Sequence, residues 1–211
     1  KDGDEVVDFI RNNEILIPFQ THDLMVNLDV VDDLEIDYKI IELYRNPIDN
    51  LYSWWTRGWG ERFCKDPRTF TLTISHGEIP LPWYCAGYEE QVADLNPYEK
   101  CCIMGIDLIR RSIERQKNAN HPERILTIRF EEIVQRPQGQ LNRISKFINK
   151  RETKYTPEFV RAARCPRVLD PQERGQKLSV FKKNINPVLF DELVGMAENY
   201  DKDTYGLLSI N

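Results

Sequence analysis

The sequence predicts an α/β fold, a mainly parallel sheet flanked by helices. Three observations point there. Short apolar runs at 14–19, 38–44 and 124–130 alternate with helix-like segments, the order that builds parallel sheets. The run Tyr38-Lys39-Ile40-Ile41-Glu42-Leu43-Tyr44 is nearly continuous in apolar residues, as expected of a strand buried on both faces. Asn-Pro pairs stand at 46–47, 96–97 and 186–187, each ahead of a helical pattern. Asparagine caps such a helix, and proline presets φ at its first position.

In chain order, residues 4–11 read as the end of a helix and 14–19 as a strand running into Gln20-Thr21-His22. Residues 38–44 form the second strand and 47–57 a helix. Residues 58–96 are irregular, with Gly58, Gly60, Gly77, Gly87, Pro67, Pro80 and Pro82 among interleaved aromatics. A structureless loop of that length is rare in a compact domain, so it holds short helices or forms a lid. Residues 97–117 are a helix with a capping-box pattern in Asn96 and Glu99. Tyr98, Cys102, Ile106, Ile109 and Ile113 share one of its faces. A third strand follows at 124–130, then a helix at 138–150 with Leu141, Ile144 and Phe147 inward. A last helix spans 187–200, with Leu189, Leu193 and Ala197 on one face.

The 211 residues suit a single domain, 1–211, with a sizeable core. Hydrophobic content of 41% and charged content of 30% are ordinary for a soluble globular protein. No apolar run approaches the roughly 20 residues of a membrane helix. The acidic start, with few apolar residues, does not read as a signal peptide. A net charge of −5 argues against nucleic-acid binding through bulk charge, but leaves room for a local basic pocket. Five cysteines, Cys64, Cys85, Cys101, Cys102 and Cys165, make no disulfide pattern, which implies a reducing, cytoplasmic setting. His22, His76 and His121 are scattered, and no metal site is expected.

Arg45-Asn46-Pro47 has two readings. It is helix punctuation, as at the other two Asn-Pro pairs, or it is an anion site. The second draws on its setting. The motif directly follows a buried strand, and ligands of open α/β sheets bind beyond strand carboxyl ends. The next helix offers free N–H groups and a positive dipole end. Arg45 can fork onto phosphate oxygens. Ser53 lies about 9 Å further along the helix axis, within reach of the same group.

Arg45-Asn46-Pro47 with Ser53 resembles the 3′-phosphate-binding segment of sulfotransferases that use 3′-phosphoadenosine 5′-phosphosulfate (PAPS). Three further stretches agree in order. Thr21-His22 resembles the Lys-Thr-His segment whose histidine is the catalytic base. Residues 125–137, ILTIRFEEIVQRP, resemble the strand and acidic turn in which an aromatic lies near adenine, and Phe130 takes that place. Residues 173–185, ERGQKLSVFKKNI, resemble the C-terminal stretch that closes over the 3′-phosphate. There Arg174 matches the arginine and Phe181-Lys182 the Trp-Lys pair. The resemblance runs from residue 15 to about 200. It implies a sulfotransferase (P-loop-NTPase-like) architecture. The family's Lys-Ser/Gly-Gly-Thr-Thr type of 5′-phosphosulfate loop is not in this chain, so an N-terminally incomplete form of the fold is expected. Gln20 stands where the family has lysine.

The function implied is sulfuryl transfer from PAPS to a hydroxyl, less readily an amine, of a small-molecule, sugar or lipid-like acceptor. His22 is the implied base; otherwise it is a histidine bonded to a loop carbonyl. Arg45, Ser53 and Arg174, with Lys177 and Lys182 behind them, are the expected ligands of the nucleotide. Phe130 faces adenine or ends a core strand. Glu131 and Glu132 are expected to anchor the turn or cap locally rather than do acid–base work. Trp59, His76, Trp83 and Tyr84 are the candidate acceptor residues within the 58–96 insertion, with Trp54 or Trp55 in the core. Oligomeric state is left open. The competing readings are a non-catalytic module binding 3′-phosphoadenosine 5′-phosphate, a kinase on a related fold, and a structural α/β protein.

Overall fold

The computed structural model describes residues 3–13, 15–21, 24–33, 37–60, 73–82, 85–204 and 206. Two parallel strands hold its centre: β1, Ile40–Tyr44, and β4, Ile125–Arg129. They pair in register from Ile40 opposite Ile125 to Tyr44 opposite Arg129. Between them in sequence come helix α3, Pro47–Thr56, an antiparallel hairpin of β2, Thr73–His76, and β3, Ile79–Pro82, then α4, Glu89–Ala93, and the long α5, Pro97–Lys117. Helices α1, Gly3–Asn12, and α2, Leu28–Asp32, precede β1. After β4 come α6, Phe130–Gln135, α7, Pro137–Phe147, α8, Thr156–Ala162, α9, Pro171–Asn184, and α10, Pro187–Asp201.

Two expectations about the sheet change. Residues 15–21 carry no strand, and Ile15, Leu16, Ile17 and Phe19 are exposed. An apolar run makes a strand only where a neighbour takes its backbone hydrogen bonds, and none of the described strands lies beside this one. Strand β1 is buried on one face rather than two. Ile40 and Tyr44 are enclosed, whereas Leu43 keeps 52% of its surface. The doubly covered strand is β4, where Ile125, Leu126, Thr127 and Ile128 are all buried. Its only partner among the described strands is β1, so the described parallel sheet has two strands where the sequence suggests three.

All three Asn-Pro helix starts form as read. Asn46 accepts from the Ile48 N–H at 3.0 Å, and Asn186 from the Leu189 N–H at 3.0 Å. Asn96 and Glu99 complete a reciprocal capping box on α5. Each such cap stabilises a helix by about 1 kcal/mol. The main core joins α3, α5, α9 and α10 through Ile48, Leu51, Ile106, Phe181, Leu189 and Leu193. Burying each of these side chains contributes about 1.5–3 kcal/mol. Helices α3 and α5 meet at Gly105, where an added Cβ would sit 2.0 Å from Leu51 Cδ2. An alanine there would have to push the buried Leu51 side chain aside.

Within 58–96 the described residues include a hairpin as well as the short helix α4. Leu81, Cys85 and Val92 pack with Trp59 on Cys101 and Met104 of α5. Gly77 turns the hairpin at φ 59°. Among the described residues no helix is long and apolar enough to cross a membrane.

Candidate functional site

Strand β1 ends at Tyr44, and the chain passes through Arg45 and Asn46 into α3. This junction is held from three sides. Asn46 is fully buried. Its backbone N–H donates to Glu131 Oε1 at 3.1 Å, and its Nδ2 donates to Asp201 Oδ1 at 3.1 Å. One asparagine therefore caps α3 and ties it to the start of α6 and the end of α10. Buried polar atoms cost free energy unless paired, and here each has a partner. Glu131 also accepts from the Tyr200 hydroxyl, which donates to the Tyr44 carbonyl at 3.3 Å as well. Burial, then the Glu131 charge, push the Tyr200 phenol well above its ordinary pKa, so it stays a donor. Glu131 thus anchors the turn, as expected, but across 85 residues of chain rather than locally.

The expected phosphate ligands divide into two groups. Arg45 is half-buried, and its guanidinium lies over the Phe130 ring, 4.7 Å from the centroid. Among the described residues no carboxylate lies within ion-pair distance of it. Burial lowers its pKa, and the charges of Asp49 and Glu131 partly oppose that. Arg174 and Lys177, one turn apart on α9, are engaged instead. Arg174 Nε donates to Asp49 Oδ2 at 3.0 Å, and Nη1 reaches Asp201 at 3.2 Å. Its Nη2 is 3.9 Å from Glu131. Lys177 Nζ donates to Asp49 Oδ1 at 2.7 Å. Burial would raise the Asp49 pKa. The Lys177 hydrogen bond and the two cationic charges outweigh it and hold the carboxyl below its usual range.

Ser53 lies half-buried on α3, and its carbonyl accepts from Thr56 Oγ1. Lys182 is exposed near the end of α9. Phe130 opens α6, so it sits where strand passes to helix and carries Arg45 on its ring. Trp59, expected nearer the acceptor than Trp54 and Trp55, is the most enclosed of the three at 6% exposure. Its ring stacks on Trp54 at 4.7 Å, because the hairpin and α4 close over it. His76 falls in β2, with its side chain outside what is described. His22, Trp83 and Tyr84 lie outside the described residues.

Sequence reasoning did not single out Asp49, Asp201, Tyr200 or Arg167. Asp49 is visible as an acid in the first turn of a helix, where carboxylates are common. Its partners come from 125 and 128 residues away, and no local pattern marks them. Arg167 lies between α8 and α9 with its guanidinium 5.7 Å from the Phe130 centroid.

The arrangement offers an arginine at a strand's carboxyl end, a helix start beside it and a hydroxyl further along that helix. That set can bind an oxyanion. No curated protein and no solved structure matches the chain. The family model described as the sulfotransferase domain matches residues 1–163 of the 211. The match contains β1, α3, β4 and Phe130, and ends before Arg174. The chain belongs to the sulfotransferase domain family.

Proposed function

We propose that this protein transfers a sulfuryl group from PAPS to a hydroxyl of a small-molecule, sugar or lipid-like acceptor. The observation that carries the reading is Arg45. It stands beyond the carboxyl end of β1, beside the start of α3, with no ion-pair partner among the described residues. In a family of sulfotransferases, an arginine so placed has the chemistry to take the 3′-phosphate. Ser53 adds a hydroxyl from the same helix. Arg174 and Lys177 hold Asp49, so they fix the start of α3.

In this reading the acceptor oxygen attacks sulfur in line as the bond from sulfur to the 5′-phosphate oxygen breaks. His22 takes the acceptor proton on an imidazole nitrogen, a group whose unperturbed pKa of about 6.5 suits proton abstraction near neutral pH. The nucleotide leaves as 3′-phosphoadenosine 5′-phosphate. His76, Trp83 and Tyr84 fall to the acceptor side, with Trp59 as a packed wall residue. The cytoplasm is the proposed location.

Gln20, in place of the family's lysine, favours a second reading: a module that binds 3′-phosphoadenosine 5′-phosphate without turnover. It removes a cation from beside the sulfuryl group. Calorimetry with 3′-phosphoadenosine 5′-phosphate tests the nucleotide site that both readings share. Binding to the wild type is expected, weakened more than about tenfold in Arg45→Ala, a loss of at least about 1.4 kcal/mol. Equal affinity in both proteins would remove Arg45 from the site. Formation of that product from PAPS with hydroxyl acceptors, lost in His22→Ala while nucleotide binding persists, separates enzyme from module.

A further inference from the structure

Arg167 has no place in the site as drawn above. Its segment is fastened to the end of α6, since the Arg167 N–H donates to the Val134 carbonyl at 2.9 Å. Its guanidinium and that of Arg45 lie over the same Phe130 ring, at 5.7 and 4.7 Å from the centroid. A ring face attracts each cation and orients its guanidinium without discharging it. The two positive charges oppose each other: Arg167 is among the groups that depress the Arg45 pKa, behind burial itself.

Neither arginine has a carboxylate within ion-pair distance among the described residues. The acids nearest in effect are already engaged. Asp49 is bound by Arg174 and Lys177, and Glu131 by Asn46 and Tyr200. Two like charges on one ring, with no counterion among the described residues, favour an anion that both can reach. Phosphate suits them, because a guanidinium fork fits two of its oxygens.

We propose that Arg45 and Arg167 form a two-armed clip for one phosphate group, with Phe130 as the platform that aims both arms. Naming that group as the 3′-phosphate of the donor rests on the function proposed above; the clip itself does not. It makes Arg167 a binding residue from a segment beyond the part of the chain that the family model matches.

The test is calorimetry on the full chain with three probes: 3′-phosphoadenosine 5′-phosphate, adenosine 5′-phosphosulfate, which has no 3′-phosphate, and inorganic pyrophosphate. The proteins are wild type, Arg167→Ala and Arg167→Lys. Arg167 is exposed, so both variants should fold, and thermal melts check that. Arg167→Ala should weaken the first probe at least about fivefold and the second less than about twofold, with Lys recovering part of the loss. Unchanged affinity for the first probe, or equal losses for both nucleotides, would overturn the assignment. If the wild type binds neither nucleotide, the donor reading fails alone and pyrophosphate decides the clip. Binding weakened by Arg167→Ala supports it, and no binding overturns it.

Discussion

Two pairs of cations flank the start of α3, and they are held in opposite ways. Arg45 and Arg167 lie over an aromatic ring with no ion-pair partner among the described residues. Arg174 and Lys177 share the carboxylate of Asp49, and Arg174 also reaches Asp201. An aromatic face orients a cation and leaves its charge free for a ligand. A carboxylate orients a cation and cancels its charge. On the reading proposed above, the first pair is open to a ligand, and the second ties α9 to the start of α3. A resemblance read along the chain cannot make that distinction, because arginine is spelled the same way in either role.

Asp49→Ala should have the largest effect on the fold. It leaves two partly buried cations without their shared acceptor, and a charged hydrogen bond contributes about 1.5–3 kcal/mol. Chemical denaturation should show a loss of about 2 kcal/mol. Because the folded pKa of Asp49 is depressed, this contribution is complete above the unfolded-state value near 4 and fades as pH falls through the folded one. The gap between wild type and Asp49→Ala should therefore narrow in acid. A gap independent of pH would mean that the carboxylate is not the source of the stability. Nucleotide affinity should hold or rise in this variant, since Arg174 and Lys177 are released.

Next comes the binding loss of more than about tenfold for Arg45→Ala, with little change in melting temperature. Arg174→Ala should cost less affinity, no more than about threefold, and should lower stability instead. A loss matching that of Arg45→Ala would restore Arg174 as a principal phosphate ligand and erase the contrast. Lys182→Ala is the smallest. An exposed lysine far from special features changes stability by no more than about 0.5 kcal/mol, and nucleotide affinity should not move. A clear affinity loss there would extend the site along α9.

Some of this was readable from the chain and some was not. Residues 47–57, 97–117 and 187–200 were legible as helices because proline, asparagine and an apolar stripe act within a few residues of one another. The strand at 124–130 was legible from its short, mostly apolar run. The run at 14–19 has the same local character, yet residues 15–21 form no strand, because pairing needs a neighbour that local sequence does not specify. The hairpin of β2 and β3 was hidden in a stretch read as irregular, holding short helices or forming a lid. Of the site, Arg45, Ser53, Phe130 and Arg174 were named from sequence, and Arg45 with Phe130 do meet. Trp59 was placed toward an acceptor, but packing on Trp54 and α5 encloses it.

By itself, then, the sequence determined the helix starts, the strand at Ile125–Arg129 and the arginine at the end of β1, since each follows from neighbours in the chain. Tertiary structure decided which charges stay open. Asp49 meets Arg174 and Lys177 only because α9 folds back onto α3, and Arg167 meets Phe130 only because its segment is tied to Val134. Charge falls off through space and not along the chain, so the state of each arginine was set by whatever the fold brought beside it.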